Sequence, residues 1–114
     1  GVCTLTLQPS DYPYDNDLVE IDNNQKIIAF HPKPHQSNKY FKNFNNACVY
    51  IMSPKIFKHL KPQKNTGLDF GKHIFPKIYK KEKLFGYNTP EYIKDMGTPE
   101  RLRQIKKDYL EDKI

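Results

Sequence analysis

Apolar and hydroxyl-bearing positions alternate from Cys3 to Leu7 (C-T-L-T-L), with Cys3, Leu5 and Leu7 on one face and the threonines on the other. That period of two predicts a strand with one buried face. Residues 8–17 (Q-P-S-D-Y-P-Y-D-N-D) are dense in Pro, Asp and Asn and read as a loop. Leu18 to Ile21 and Lys26 to His31 follow as two short strands. Asp22-Asn23-Asn24-Gln25 joins them, and Asn tolerates positive φ, so the pair predicts a hairpin. Pro32 and Pro34 end its second strand, and residues 35–44 form a polar connection.

Asn46 to Met52 (N-A-C-V-Y-I-M) is almost continuously apolar, as for a strand buried on both faces. Ser53-Pro54 supplies a cap and a first helical residue for a short helix with Ile56, Phe57 and Leu60 on one side, stopped by Lys61-Pro62. Asp69 caps a second helical segment through Tyr79 that Pro76 must kink or restart. Leu84 to Asn88 and Tyr92 to Asp95 read as strands. Thr98-Pro99-Glu100 then opens a helix with Leu102, Ile105 and Tyr109 at helical spacing. Helices and strands alternate in the second half after a hairpin in the first. The predicted class is α/β, a mixed sheet with flanking helices.

Composition changes this picture little. At 114 residues, 37% hydrophobic and with a mean hydropathy of −0.84, the chain holds one lean core, supplied largely by seven Phe and eight Tyr. The net charge of +6 is carried by lysines scattered among acids, and only Arg101 and Arg103 are arginines. A solvated lysine-rich surface fits that distribution better than a nucleic-acid interface. No apolar run is long enough to cross a bilayer as a helix, so no membrane partner is expected. Cys3 and Cys48, far apart and in strand-like contexts, read as reduced, buried thiols of a cytoplasmic protein.

The chemistry concentrates in Tyr92-Ile93-Lys94-Asp95-Met96-Gly97-Thr98-Pro99-Glu100-Arg101-Leu102. A carboxylate before a glycine turn and a capped helix stands where open α/β sheets bind ligands. Asp95 is either a turn residue or a ligand facing that crevice, where Gly97 permits the tight turn. Mg²⁺ sites use one or two carboxylates plus substrate phosphates, so one aspartate is compatible with such a site and insufficient for it. Other constellations are weaker. Pro32 and Pro34 deny His31 and His35 the helix that a His-x-x-x-His metal site needs, so both are expected at the surface or the rim of a site. Asp11, Asp15, Asp17 and Glu20 lack the glycine and terminal glutamate of a calcium loop and read as solvated acids.

The segment Y-I-K-D-M-G-T-P-E-R-L resembles the strand-Asp-x-Gly-Thr-Pro-Glu-x-Leu segment of sugar-1-phosphate nucleotidyltransferases. Three stretches upstream, L-V-E-I-D-N-N-Q-K-I-I-A-F-H-P-K-P, F-N-N-A-C-V-Y-I-M-S-P and D-F-G-K-H-I-F-P-K-I-Y, resemble the preceding family segments in order. Among its subgroups, the chain most resembles the heptose and mannose 1-phosphate guanylyltransferases. The resemblance implies the C-terminal, sugar- and metal-binding half of a Rossmann-like nucleotide-diphospho-sugar transferase fold, occupying residues 1–114. It implies that Asp95 holds the catalytic Mg²⁺, that Lys33 contacts the sugar phosphate, and that Asn46, Ala47 and Gly97 border the sugar. The implied substrates are a sugar 1-phosphate and a nucleoside triphosphate, with GTP favoured. Attack of one phosphate on another brings anions together, which is why a metal and a lysine suit the task.

This sequence departs from the family pattern at two places: Pro32 stands where an acid usually precedes Lys-Pro, and Cys48 where Gly follows Asn-Ala. All five glycines are isolated, so the Gly-rich nucleotide cradle of the N-terminal half is absent from these residues. Two functions remain. One is an enzyme half, inactive alone, favoured because Asp95, Lys33 and Asn46 persist together. The other is a non-catalytic module that binds a sugar phosphate or a partner. Without N-terminal neighbours the Cys3–Leu7 strand is expected to expose an edge and drive self-association.

Overall fold

The computed structural model describes residues 1–36, 38–61 and 67–114. Five strands form one mixed sheet: β1 (Cys3–Gln8), β2 (Leu18–Ile21), β3 (Ile27–His31), β4 (Asn45–Met52) and β5 (Leu84–Asn88), in the order β3-β2-β4-β1-β5. Only β1 and β5 are parallel; β4 runs antiparallel to both β1 and β2, and β2 to β3. Of the helices α1 (Phe75–Ile78) and α2 (Pro99–Leu110), α2 starts at its predicted Thr98 cap. The expected α/β class with a mixed sheet and flanking helices is what forms.

The period-two reading of β1 holds residue by residue. Cys3, Leu5 and Leu7 are buried and Thr4, Thr6 and Gln8 are half-buried. Their face packs with Val19, Ile27, Ile56, Phe75 and Leu84 into a single core, and each large apolar side chain buried there contributes about 1.5–3 kcal/mol. The expectation of an exposed β1 edge is corrected. β4 pairs along one side and β5 along the other, so both rows of β1 amides and carbonyls are used within the chain. The long-range crossover to β5 places it there, and a strand paired on both sides offers no template for association.

Other expectations need similar correction. β4 is not buried on both faces: Val49 is 52% and Ile51 80% exposed, because among the described residues the helical elements pack on the core face of the sheet. The helix after Ser53 is a 3-10 segment (Pro54–His59) that buries Ile56 and leaves Phe57 exposed, and its predicted Pro62 stop lies outside the described residues. Asp69 does cap its segment, accepting the Lys72 N–H at 2.8 Å, but a π-helical turn over Phe70–Ile74 precedes α1. Pro76 occupies the first turn of α1, so it restarts the helix, as a proline can where no N–H is required. No strand forms over Tyr92–Asp95, which is extended coil with no ladder partner.

The hairpin forms as predicted, with Gln25 rather than an asparagine at positive φ (63°). Asp22 Oδ1 accepts from the Asn24 and Lys26 amides and closes the turn. The tip then reaches the far end of the sheet. Gly86 N–H donates to Gln25 O at 2.8 Å, and Lys26 bridges Phe85. A Cβ on Gly86 would lie 2.9 Å from Ile21 Cγ2 and closer still to Leu7 Cδ1, so only glycine lets the hairpin close over β5.

Candidate functional site

Register brings the candidate residues to one end of the sheet. Gln8 pairs with Asn45, and Leu7 with both Asn46 and Asn88, so the carboxyl ends of β1 and β5 meet the amino end of β4. Beyond this end the coil from Thr89 to Thr98 crosses to α2. Its anchors are polar: Thr89 N–H donates to Leu7 O at 3.0 Å, Gln8 Nε2 donates to Ile93 O, and Lys94 Nζ lies 2.7 Å from Asp11 Oδ2. Tyr92 Oη donates to Asp108 Oδ2 at 2.5 Å, tying the coil to α2. That bond pushes the Tyr92 phenol up to about 12 and holds the Asp108 carboxyl below the usual aspartate range, with Gln104 assisting.

These contacts hold Asp95 in an open cleft of about 530 Å³. Gln8, Asn45, Tyr92, Arg101, Gln104 and Asp108 line it with Asp95, and Tyr12 and Asn16 of the loop after β1 complete the wall. Asp95 Oδ1 accepts the Gly97 N–H at 2.8 Å, and Arg101 Nη1 donates to Asp95 Oδ2. Gly97 serves by close approach rather than positive φ, since a Cβ there would stand 3.0 Å from Asp95 Oδ1. Thr98 Oγ1 accepts the Arg101 N–H at 3.2 Å and starts α2, as its hydroxyl predicted.

The other sequence-derived residues stand apart from Asp95. Asn46 lies on the opposite face of β4 from Asn45 and donates from Nδ2 to Tyr50 Oη at 2.9 Å, while its Oδ1 accepts the Cys48 N–H. Tyr50 packs edge-on against Phe75, and burial raises its phenol well beyond the usual tyrosine range. Ala47 is half-buried beside them. Lys33 is engaged elsewhere: its Nζ lies 2.8 Å from Asp15 O and 3.2 Å from Asp15 Oδ1, and its N–H donates to Asp17 Oδ1. His35 Nε2 sits 2.7 Å from Asn16 O, so the Pro32–His35 stretch clasps the loop whose Tyr12 and Asn16 wall the cleft. The acids read as solvated are indeed solvent-accessible, and each is also partnered: Asp11 by Lys94, Asp15 and Asp17 by Lys33, and Glu20 by His31.

Cys3 and Cys48 differ. Cys3 is buried, which pushes its thiol up to about 11, whereas Cys48 is exposed, correcting the buried strand thiol expected there. Cys48 takes φ 60° where β1 and β4 lose register between Leu5 and Leu7. Glycine suits that backbone, and this chain carries a cysteine there.

A sequence profile described as nucleotidyl transferase matches residues 2–112. The chain belongs to the nucleotidyl transferase family. It is 31% identical over 101 residues to a glucose-1-phosphate adenylyltransferase of Clostridium novyi (strain NT), covering 84% of this chain and 26% of the relative. It is 29% identical over 108 residues to the enzyme of the same name from Shewanella sp. (strain ANA-3), covering 82% and 26%. A Bacillus anthracis protein named as a glucose-1-phosphate thymidylyltransferase, solved with sucrose, superposes with a TM-score of 0.68 at 24% identity, over 90% of this chain and 41% of that one. That likeness concerns the fold, which is Rossmann-like. The chain spans about a quarter of the length of the curated relatives it matches.

Within this nucleotidyl transferase chain, the donor set suits one edge of an oxygen-coordinated cation. Asp95 offers a solvent-exposed carboxylate, its oxygens engaged by Gly97 and Arg101, and among the described residues no cluster of three or more possible ligands exists. One carboxylate completed by substrate phosphates is the composition Mg²⁺ tolerates. Sequence reasoning missed Gln8, Asn45 and Arg101. Arg101 left a signal, being one of two arginines and adjoining the motif. Gln8 and Asn45 left none, because only strand register brings them to Asp95.

Proposed function

We propose that this chain is the sugar- and metal-binding part of an enzyme that joins a sugar 1-phosphate to a nucleoside triphosphate, releasing pyrophosphate. The observation that carries the reading is Asp95, solvent-exposed in a polar cleft beyond the carboxyl ends of β1 and β5. An oxygen of the sugar 1-phosphate attacks the α-phosphorus, and the pyrophosphate oxygen departs. Asp95 is the residue that would hold Mg²⁺, which when bound supplies positive charge against the phosphates. Lys33 contributes a second cation for the sugar phosphate once it leaves Asp15. Gly97 borders the sugar, and the carboxamides of Gln8, Asn45 and Gln104 offer hydrogen bonds to its hydroxyls, whereas Asn46 and Ala47 do not line this cleft. A cytoplasmic location belongs to the same reading, supported by two free thiols.

The resemblance of the four ordered segments favours a heptose or mannose 1-phosphate with GTP. A second reading, glucose 1-phosphate with ATP or dTTP, is favoured by the names of the relatives. Pyrophosphate release by the full-length protein across a matrix of these sugars and triphosphates separates the two. The 114-residue chain alone is expected to transfer no nucleotide. Absence of release from every pair in the full-length protein would replace catalysis with the binding-module reading.

A further inference from the structure

Both oxygens of the Asp95 carboxylate are engaged within the chain, Oδ1 by the Gly97 amide and Oδ2 by the Arg101 guanidinium. The two cations lining the cleft are Lys94 and Arg101, and Lys94 is held by Asp11 at 2.7 Å. Any divalent cation arriving at Asp95 therefore meets a guanidinium on the same carboxylate. Two positive groups on one carboxylate repel, so each weakens the other's hold.

We propose that Arg101 is the resident counter-ion of Asp95, exchanged for a divalent cation and thereby freed to grip the phosphate of the substrate in the same cleft. The proposal rests on the reading of Asp95 as a metal carboxylate. Three features support the exchange. The pair is solvent-exposed, with 45% of the Arg101 and 66% of the Asp95 side chain accessible, so it is a weak contact that an ion can replace. Arg101 stands in the first turn of α2 with its backbone fixed by Thr98, so release moves the side chain while the helix stays. The freed planar fork matches phosphate oxygens, and its move returns a positive charge to the cleft where the incoming anion needs one.

The rival role is a brace that merely orients Asp95, and the two differ in sign. Removing a brace loosens the carboxylate and weakens metal binding. Removing a competitor strengthens it. Mn²⁺ is titrated into the full-length protein, with free metal read by electron paramagnetic resonance, for wild type, Arg101→Met, Arg101→Lys and Asp95→Asn. Arg101→Met is expected to bind Mn²⁺ about 1.5-fold to fivefold more tightly, the span of an exposed ion pair, while Arg101→Lys stays near wild type. Adding glucose 1-phosphate tightens Mn²⁺ binding in wild type and fails to do so in Arg101→Met. Unchanged or weaker Mn²⁺ binding in Arg101→Met, with Asp95→Asn reduced, overturns the proposal alone. Wild-type Mn²⁺ binding in Asp95→Asn overturns the assignment of Asp95 and the proposal with it.

Discussion

The Lys33 ammonium caps the Pro13–Asp15 turn, 2.8 Å from Asp15 O and 3.2 Å from Asp15 Oδ1, and in doing so pins the loop that walls the Asp95 cleft. On the proposed reading, a substrate phosphate competes with Asp15 for this cation. Lys33→Ala in the full-length enzyme is expected to raise KM for sugar 1-phosphate about tenfold and to lower kcat, since a charge-assisted contact carries about 1.5–3 kcal/mol. Steady-state kinetics with each substrate varied is the check. An effect confined to the nucleotide KM would assign Lys33 to a different site.

Asp95→Asn should leave folding intact, because the side chain is exposed and makes no contact with the core. Turnover should fall about a hundredfold or more, as when other preorganised charge stabilisers are removed. Thermal melting and initial rates measured on one preparation test both halves. Near-normal kcat at saturating Mg²⁺ would sink the assignment.

Cys48 holds φ 60°, a region that costs an L-residue about 1–2 kcal/mol. Cys48→Gly removes that strain and gives back part of it as unfolded-chain entropy. A net gain of about 1 kcal/mol is expected, read from denaturant midpoints at constant slope. A loss of stability would mean that the cysteine side chain contributes packing that its exposure does not reveal.

Glu82 accepts from Lys58 and His59 at 2.9 and 2.8 Å, and those contacts hold its carboxyl below the usual glutamate range. A depressed folded value contributes stability that is present above the unfolded value and lost as pH falls through the folded one. Below about pH 4.3 this part of the stability therefore declines. Melting temperature against pH should fall less steeply on the acid side in Glu82→Gln. Parallel curves for the two proteins would remove Glu82 from the acid transition.

Amide exchange addresses the strand expected at an exposed edge. With β4 and β5 on its two sides, residues 3–8 should exchange among the slowest in the chain. Fast exchange of these amides, together with association in light scattering, would restore the open edge.

Local chemistry was legible wherever a signal lies within a few residues. Alternation marked the buried face of β1, Thr98 and Pro99 marked the start of α2, Asp69 marked a cap, and the D-M-G-T-P-E run marked Asp95. The reason is physical: side-chain periodicity, caps and proline geometry act over one turn or one pleat. Whatever depends on partners distant in sequence was decided by the tertiary structure. Leu84 to Asn88 covers the flank of β1 from some eighty residues away, and nothing within Cys3–Leu7 encodes that neighbour. Val49 and Ile51 read as core and lie exposed, because among the described residues no helix covers their face of the sheet. Tyr92 to Asp95 has the composition of a strand, yet β5 already occupies the flank of β1, and hydrogen bonds to Gln8, Asp11 and Asp108 hold the segment as coil. The sequence by itself determined which carboxylate leads into α2. Register alone decided that Gln8 and Asn45 share its cleft while Asn46, one residue on, faces the other way, because successive side chains of a strand point to opposite sides.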